Sequence, residues 1–313
     1  MNSQLFSWII SAVLSLILAP LVPGIINRVK AFFAGRRGPS FFQLYYDLAK
    51  LLKKGCVYSS TATQVLRLAP LASLAALLGC VLLMPFGMNA SPLAFSGDIL
   101  LFIYLLGFSR ITGVLAALDT GSSFEGMGAS REMQFSALAE GAFLAVTGFL
   151  IVLTVKFSLT ETLNGFTFGA WSYSGTSMLL TAVAFFLVLL AESCRVPFDD
   201  PETHLELTMI HEAMILDYGG PDLAMILYGA SLKLWLLATF LVLLILPCGM
   251  VASSWLNTVI YFASIGVVAV LIGIVESVMA RFRFLKVPQL INAATALAIL
   301  AIIFMIVFEE VAQ

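Results

Sequence analysis

The sequence predicts an all-α membrane protein of about eight transmembrane helices, with one further amphipathic helix at the interface. Three observations carry this. Hydrophobic residues make up 61% of the chain and charged residues only 11%, with a mean hydropathy of +1.03. A soluble domain carries about 25% charged residues, and so little charge cannot cover a water-facing surface. Eight windows reach the roughly 20 apolar residues that cross a hydrocarbon core: 5–26, 68–87, 99–118, 133–157, 175–192, 222–247, 255–276 and 288–308. The cations, finally, fall almost entirely on alternate connections between these windows. No run shows the apolar/polar alternation of barrel strands.

The elements follow in order. Window 5–26 has no basic residue ahead of it and is long, so it reads as a retained first span rather than a cleaved signal peptide. Pro20 and Pro23 within it are tolerable in a membrane helix. The connection that follows holds Arg28, Lys30, Arg36, Arg37, Lys50, Lys53, Lys54 and Arg67. Within it, Phe41, Tyr45, Leu48 and Leu52 of SFFQLYYDLAKLLKKG recur at helical spacing, the pattern of a helix lying in the interface. Arg131 follows the third window, Arg195 the fifth, and Arg281, Arg283 and Lys286 the seventh. The opposite connections carry only Lys156. The excess of positive charge marks the inner side, so the odd-numbered loops face the cytoplasm or its equivalent and both termini face outward. Residues 1–313 form a single transmembrane domain, and nucleic acid is not an expected partner.

The four cysteines, Cys56, Cys80, Cys194 and Cys248, form no CxxC pair, so the spacing offers no iron–sulfur or zinc cradle. HEAMI at 211–215 begins like a metalloprotease HExxH, but residue 215 is Ile. His204 and His211 lack a third ligand, so no metal site is expected. GSSFEGMG at 121–128 has no flanking strand and no GK[ST], which argues against a nucleotide cradle.

Arg110, Glu140 and Lys233 lie well inside predicted spans, Glu192 and Glu276 close spans five and seven, and Asp119 follows span three. A charge at mid-bilayer costs at least about 2.5–3.5 kcal/mol, so such groups face the protein interior and pair. Two readings stand side by side: fixed ion pairs, or a buried polar path for protons through Glu140, Glu192, Lys233, Arg110, Asp119 and Glu276. The segment 191–222, AESCRVPFDDPETHLELTMIHEAMILDYGGPD, holds eight of the chain's 18 acids against one cation, Arg195. A solvated docking surface for a basic partner explains it. So does a set of packed carboxylates that raise one another's pKa.

AESCRVPFDDPE at 191–202 resembles the AExxRxPFDxPE signature of the subunit-1 family of respiratory complex I. GRRGP at 35–39, GASRE at 128–132 and Glu140 resemble that family's first-loop motif, second-loop region and start of span four. The continuation HLELTMIHEAMILDYGGPDLA is similar to the branch found in membrane-bound group-four nickel–iron hydrogenases of the formate hydrogenlyase type. His204 stands where the quinone-reducing branch carries an acid. The resemblance implies a membrane anchor that binds no cofactor itself. It docks nickel–iron hydrogenase-like large and small subunits and an iron–sulfur protein, which hold the nickel–iron centre and clusters, and it adjoins antiporter-like membrane subunits. It further implies a coupling or docking loop comprising Arg195, Asp199, Asp200, Glu202, His204, Glu206, His211, Glu212 and Asp217, a basic interface at Arg36, Arg37 and Arg131, and a proton path beginning at Glu140 and Glu192. The alternatives are the quinone-site subunit of a complex I-type enzyme and a stand-alone ion transporter; the lack of a visible inverted repeat argues against the latter.

Overall fold

The computed structural model describes residues 2–59, 61–166, 168–199, 209–247 and 254–312. Regular structure among them is entirely helical: α1 (Asn2–Leu18), α2 (Leu21–Phe33), α3 (Gln43–Leu51), α4 (Gln64–Leu83), α5 (Asp98–Asp119), α6 (Ser123–Thr154), α7 (Leu159–Asn164), α8 (Phe168–Glu192), α9 (His211–Met214), α10 (Gly220–Ile245), α11 (Ser254–Val278) and α12 (Val287–Ala312). Seven are long and apolar enough to cross a membrane, or eight spans if α1 and α2 count as one. The protein is thus a multi-pass membrane protein.

The first span is not the straight helix of 5–26. It bends by 47° between α1 and α2, where Pro20 cannot donate a backbone hydrogen bond, and it runs on to Phe33. The fourth also differs: α6 starts at Ser123, ten residues before the expected 133. The polar stretch SFEGMGASRE is one continuous helix with the apolar run after it, and hydropathy sees only the apolar half. Helix α8 starts at Phe168, but its backbone leaves helical angles at Ser174 (φ −117°, ψ 26°), so the uninterrupted helix begins at the expected 175. The interfacial helix exists as α3, but its half-buried stripe is Leu44, Tyr45, Leu48 and Leu51, while Phe41 and Leu52 are exposed. The Tyr45 hydroxyl donates to the Ile17 carbonyl and ties α3 to the end of α1.

Helix α10 is the centre of the bundle. Every residue from Ser231 to Leu244 is buried. Phe240 of this run stacks on Phe185 of α8 (4.5 Å between centroids) and meets Phe143 of α6 edge-on (5.5 Å), with Phe102 of α5 completing the group (6.4 Å). These aromatic contacts fix α5, α6, α8 and α10 around one axis. The charged groups described next project from those same four helices.

Candidate functional site: a buried charge layer beneath a tethered loop

Lys233 lies near the start of the all-round buried run of α10, where its ammonium cannot reach lipid headgroups or bulk solvent. Glu192, the last residue of α8, lies 3.1 Å from the Lys233 ammonium through Oε2 and 2.9 Å from the Arg110 guanidinium of α5 through Oε1. The Glu192 side chain is 1% exposed. Desolvating three charges is costly, and only mutual pairing makes the arrangement tenable. Glu140 of α6 sits against α5 where Gly107 leaves room: a Cβ there would lie 4.0 Å from its carboxylate. Gly107 and Arg110 share a face of α5, so Glu140 is in the electrostatic field of Arg110. Among the described residues Glu140 makes no ion pair within 4 Å.

A cavity of about 110 Å³ adjoins this layer. Arg110, Glu192 and Lys233 line one wall, Ser73 and Ser109 another, and His211, Met214 and Tyr218 close it from the loop side. Its walls are mainly apolar, and its volume admits a few waters beside the charged and hydroxyl side chains that enter it. Glu132 of α6 and Cys194 also reach it. The Cys194 thiol donates to Glu132 Oε2 at 3.6 Å. Burial, with Glu132 and Asp199 close by, pushes this thiol well above the usual thiol range, so it stays protonated.

The loop after α8 is anchored at both of its described ends. Arg195 reaches Glu276 of α11 at 3.4 Å, and the same carboxylate takes Lys30 of α2 at 3.2 Å. Asp199 pairs with Arg281 at 2.9 Å and accepts the backbone N–H groups of Ile210 (3.2 Å) and His211 (3.3 Å), which draws the far end of the loop back onto its start. Arg131 donates to the Met209 carbonyl at 3.1 Å and lies over the Phe284 ring, which Arg281 also covers. Short α9 rests on α6 at Gly128, where a Cβ would come within 2.9 Å of the Ile210 carbonyl oxygen.

Of the residues expected for a proton path, the fold brings Arg110, Glu140, Glu192 and Lys233 into one layer. Glu276 belongs to a separate pair site. Asp119 is elsewhere: it accepts from Thr63 N and Thr63 Oγ1 (2.7 Å each) and Leu66 N (3.3 Å), which caps α4. Of the loop residues, Arg195, Asp199 and His211 are structural ties, Glu212 is half-buried and Asp217 is exposed. Asp200, Glu202, His204 and Glu206 lie outside the described residues. Arg36 and Arg37 are exposed beyond the end of α2, whereas Arg131 is tucked beneath the loop.

The described acids of segment 191–222 do not pack against one another, contrary to one of the two sequence readings. Most have partners of their own. Glu192 holds two cations and Asp199 holds Arg281, while Asp222 accepts the Tyr58 hydroxyl at 2.7 Å. That bond raises the Tyr58 pKa, and burial together with Asp222 and Glu125 raises that of Tyr218. Three buried carboxylates went unrecognised in the sequence. Asp98, one residue before the predicted third span, accepts from the Ser158 hydroxyl (3.0 Å) and the Leu159 N–H at the start of α7. Glu132 fell one residue outside the predicted span and was counted as loop. Glu125, which accepts the Asp217 N–H at 3.0 Å, lies in the polar first turn of α6.

A bundle of membrane-crossing helices around a layer of neutralised charges, capped on one side by a tethered polar loop, defines a polytopic membrane protein with an internal ionisable cluster. Residues 6–308 match the family described as NADH dehydrogenase, and the chain belongs to it. It is 32% identical to hydrogenase-4 component C of Escherichia coli (strain K12) over 298 residues, covering 94% of this chain and 93% of that protein. It is 29% identical to formate hydrogenlyase subunit 4 of the same organism, covering 94% and 96%. Among solved structures, a chain of the membrane-bound sulfane sulfur reductase, an archaeal respiratory membrane complex, shares the fold with a TM-score of 0.82 at 18% identity, covering 97% of this chain and 99% of that one.

Proposed function

We propose that this chain is the membrane anchor and coupling subunit of an energy-converting hydrogenase complex of the formate hydrogenlyase type. The observation that carries the coupling role is Glu192, buried between Arg110 and Lys233 against a cavity that the tethered loop closes. Likeness to hydrogenase-4 component C and formate hydrogenlyase subunit 4 along nearly the whole chain supports the hydrogenase assignment. In this reading the loop faces the cytoplasm and docks nickel–iron hydrogenase-like large and small subunits and an iron–sulfur protein. Antiporter-like subunits adjoin the bundle, and the redox cofactors reside in the partners.

The layer has the properties of a relay. A proton arriving at Glu140 weakens its attraction for Arg110, which then binds Glu192 more strongly. The change shifts Glu192 toward Arg110 and away from Lys233, so an altered charge at Glu140 is felt across the whole layer. Waters in the cavity supply the short-range steps.

Two measurements test this. Metal analysis of the complex purified through this chain should find nickel and iron; a nickel-free complex overturns the hydrogenase assignment. Glu140→Gln removes a proton carrier without removing an ion pair. In inverted membrane vesicles it should lower hydrogenase-coupled proton uptake about tenfold while hydrogen turnover persists, and unchanged uptake overturns the relay.

A further inference from the structure

Away from the charge layer, helix α2 and helix α11 enclose an apolar groove of about 420 Å³ lined by Ile25, Val29, Phe32, Phe33, Val270 and Ile274. Close helix contact builds its floor. A Cβ on Gly273 of α11 would lie 2.8 Å from the Val29 side chain. Phe41 walls the mouth, and it is held there because Gly24 of α2 has no side chain: a Cβ on Gly24 would meet the Phe41 carbonyl oxygen at 2.2 Å.

The mouth is cationic. Arg28 lines the groove, lies 5.4 Å from the centre of the Phe41 ring, and donates through Nη1 to the Gly38 (3.3 Å) and Pro39 (3.4 Å) carbonyls. Its guanidinium is thereby fixed with other N–H donors of the fork left over. The segment after α2 folds back over the helix, with the Arg36 N–H on the Ala31 carbonyl and Gly38 against Ala31 and Arg28; Arg36 and Arg37 in this segment are exposed. Lys30 points the other way, to Glu276. Phe32 is 80% exposed and Phe33 53%, as aromatic rings are at the level of lipid headgroups.

We propose that this groove is a binding site for one anionic phospholipid, with an acyl chain along α2 and α11 and the phosphodiester on Arg28, flanked by Arg36 and Arg37. An apolar slot of this size ending in a fixed guanidinium matches the two chemistries of such a lipid, and basic pockets between membrane helices are where anionic headgroups collect. The inference rests on the membrane location of the chain and not on the hydrogenase assignment, so a nickel-free complex leaves it standing.

The test uses the intact complex in phosphatidylcholine vesicles containing a minor share of phosphatidylglycerol with a photoreactive acyl chain. Illumination should attach the probe to peptides containing residues 25–41 and 270–274. Each cation contributes about fivefold in affinity for an anionic headgroup, so Arg28→Gln should cut labelling about fivefold. Ile274→Trp, which fills the groove, should cut it with every cation retained. A photoreactive phenylalanine analogue in place of Phe33 reads the occupant without disturbing the site, and it should yield a lipid adduct. Equal labelling by a phosphatidylcholine probe, or capture of a polypeptide at Phe33, overturns the proposal.

Discussion

Glu192 Oε1 sits 2.9 Å from Arg110 Nη1 while its other oxygen holds Lys233, so one carboxylate at the end of α8 joins two helices remote from each other in sequence. Removing the anion leaves two buried cations facing each other. Breaking a buried pair costs about 3–5 kcal/mol. Glu192→Gln should therefore lower the Tm of the purified complex markedly. Adding Lys233→Met should recover at least half of the loss, because Gln and Met leave Arg110 as the one cation to be balanced by Glu132 and Glu140. A double variant less stable than the single one would show that the pair is not what holds the layer.

Asp119 tests the difference between a charge that moves protons and one that holds a helix. Its two oxygens accept three hydrogen bonds at the start of α4. These bonds satisfy N–H groups at the helix start that have no partner within the helix. Asp119→Ala should lower the denaturation midpoint and leave proton uptake per hydrogen turned over unchanged. A drop in that ratio would put Asp119 back in the path.

Gly128 permits α9 to lie on α6. A methyl group there must displace the Ile210 carbonyl or the Ala213 side chain, which it would approach at 2.9 and 3.0 Å. Forcing a tight contact apart costs about 1–3 kcal/mol. Gly128→Ala should loosen residues 209–214 selectively, seen as faster hydrogen exchange at Ile210 and His211, whose N–H groups are held by Asp199. Exchange unchanged in this segment would mean that α6 itself yields instead.

The Cys194 thiol has a raised pKa because burial and the Glu132 carboxylate both disfavour the thiolate. Thiolate is the reactive form, and a raised pKa leaves less of it at neutral pH. Alkylation of Cys194 by iodoacetamide at about pH 7.5 should run at least about tenfold slower than that of free cysteine. It should still be accelerating at about pH 9, where free cysteine levels off. Glu132→Gln removes the nearest negative charge, lowers the pKa and should speed the reaction. A neutral-pH rate matching free cysteine would contradict the pairing.

Much of the architecture was legible along the chain, because a membrane demands long apolar runs and charge asymmetry, and both are linear properties. The run-based reading failed where polarity and helicity part company. SFEGMGASRE is polar and helical, so Glu125 and Glu132 were missed, and Pro20 bends the first span in a way that hydropathy does not register. The candidate site was legible as a set of residues that cannot be left unpaired at that depth: Arg110, Glu140, Glu192 and Lys233 stand out for their cost alone.

What the sequence by itself determined is therefore the class of the protein, its spans and the identity of the expensive charges, since transfer free energy depends on composition along a segment. Only the tertiary structure decided which charge meets which. It gave Glu192 two cations from α5 and α10, sent Glu276 to Lys30 and Arg195, assigned Asp119 to a helix cap, and bound Asp199 and Asp222 to partners of their own. Coulomb and hydrogen-bond energies depend on distances of a few ångströms between groups remote in sequence, and those distances exist only once α10 is enclosed by its neighbours.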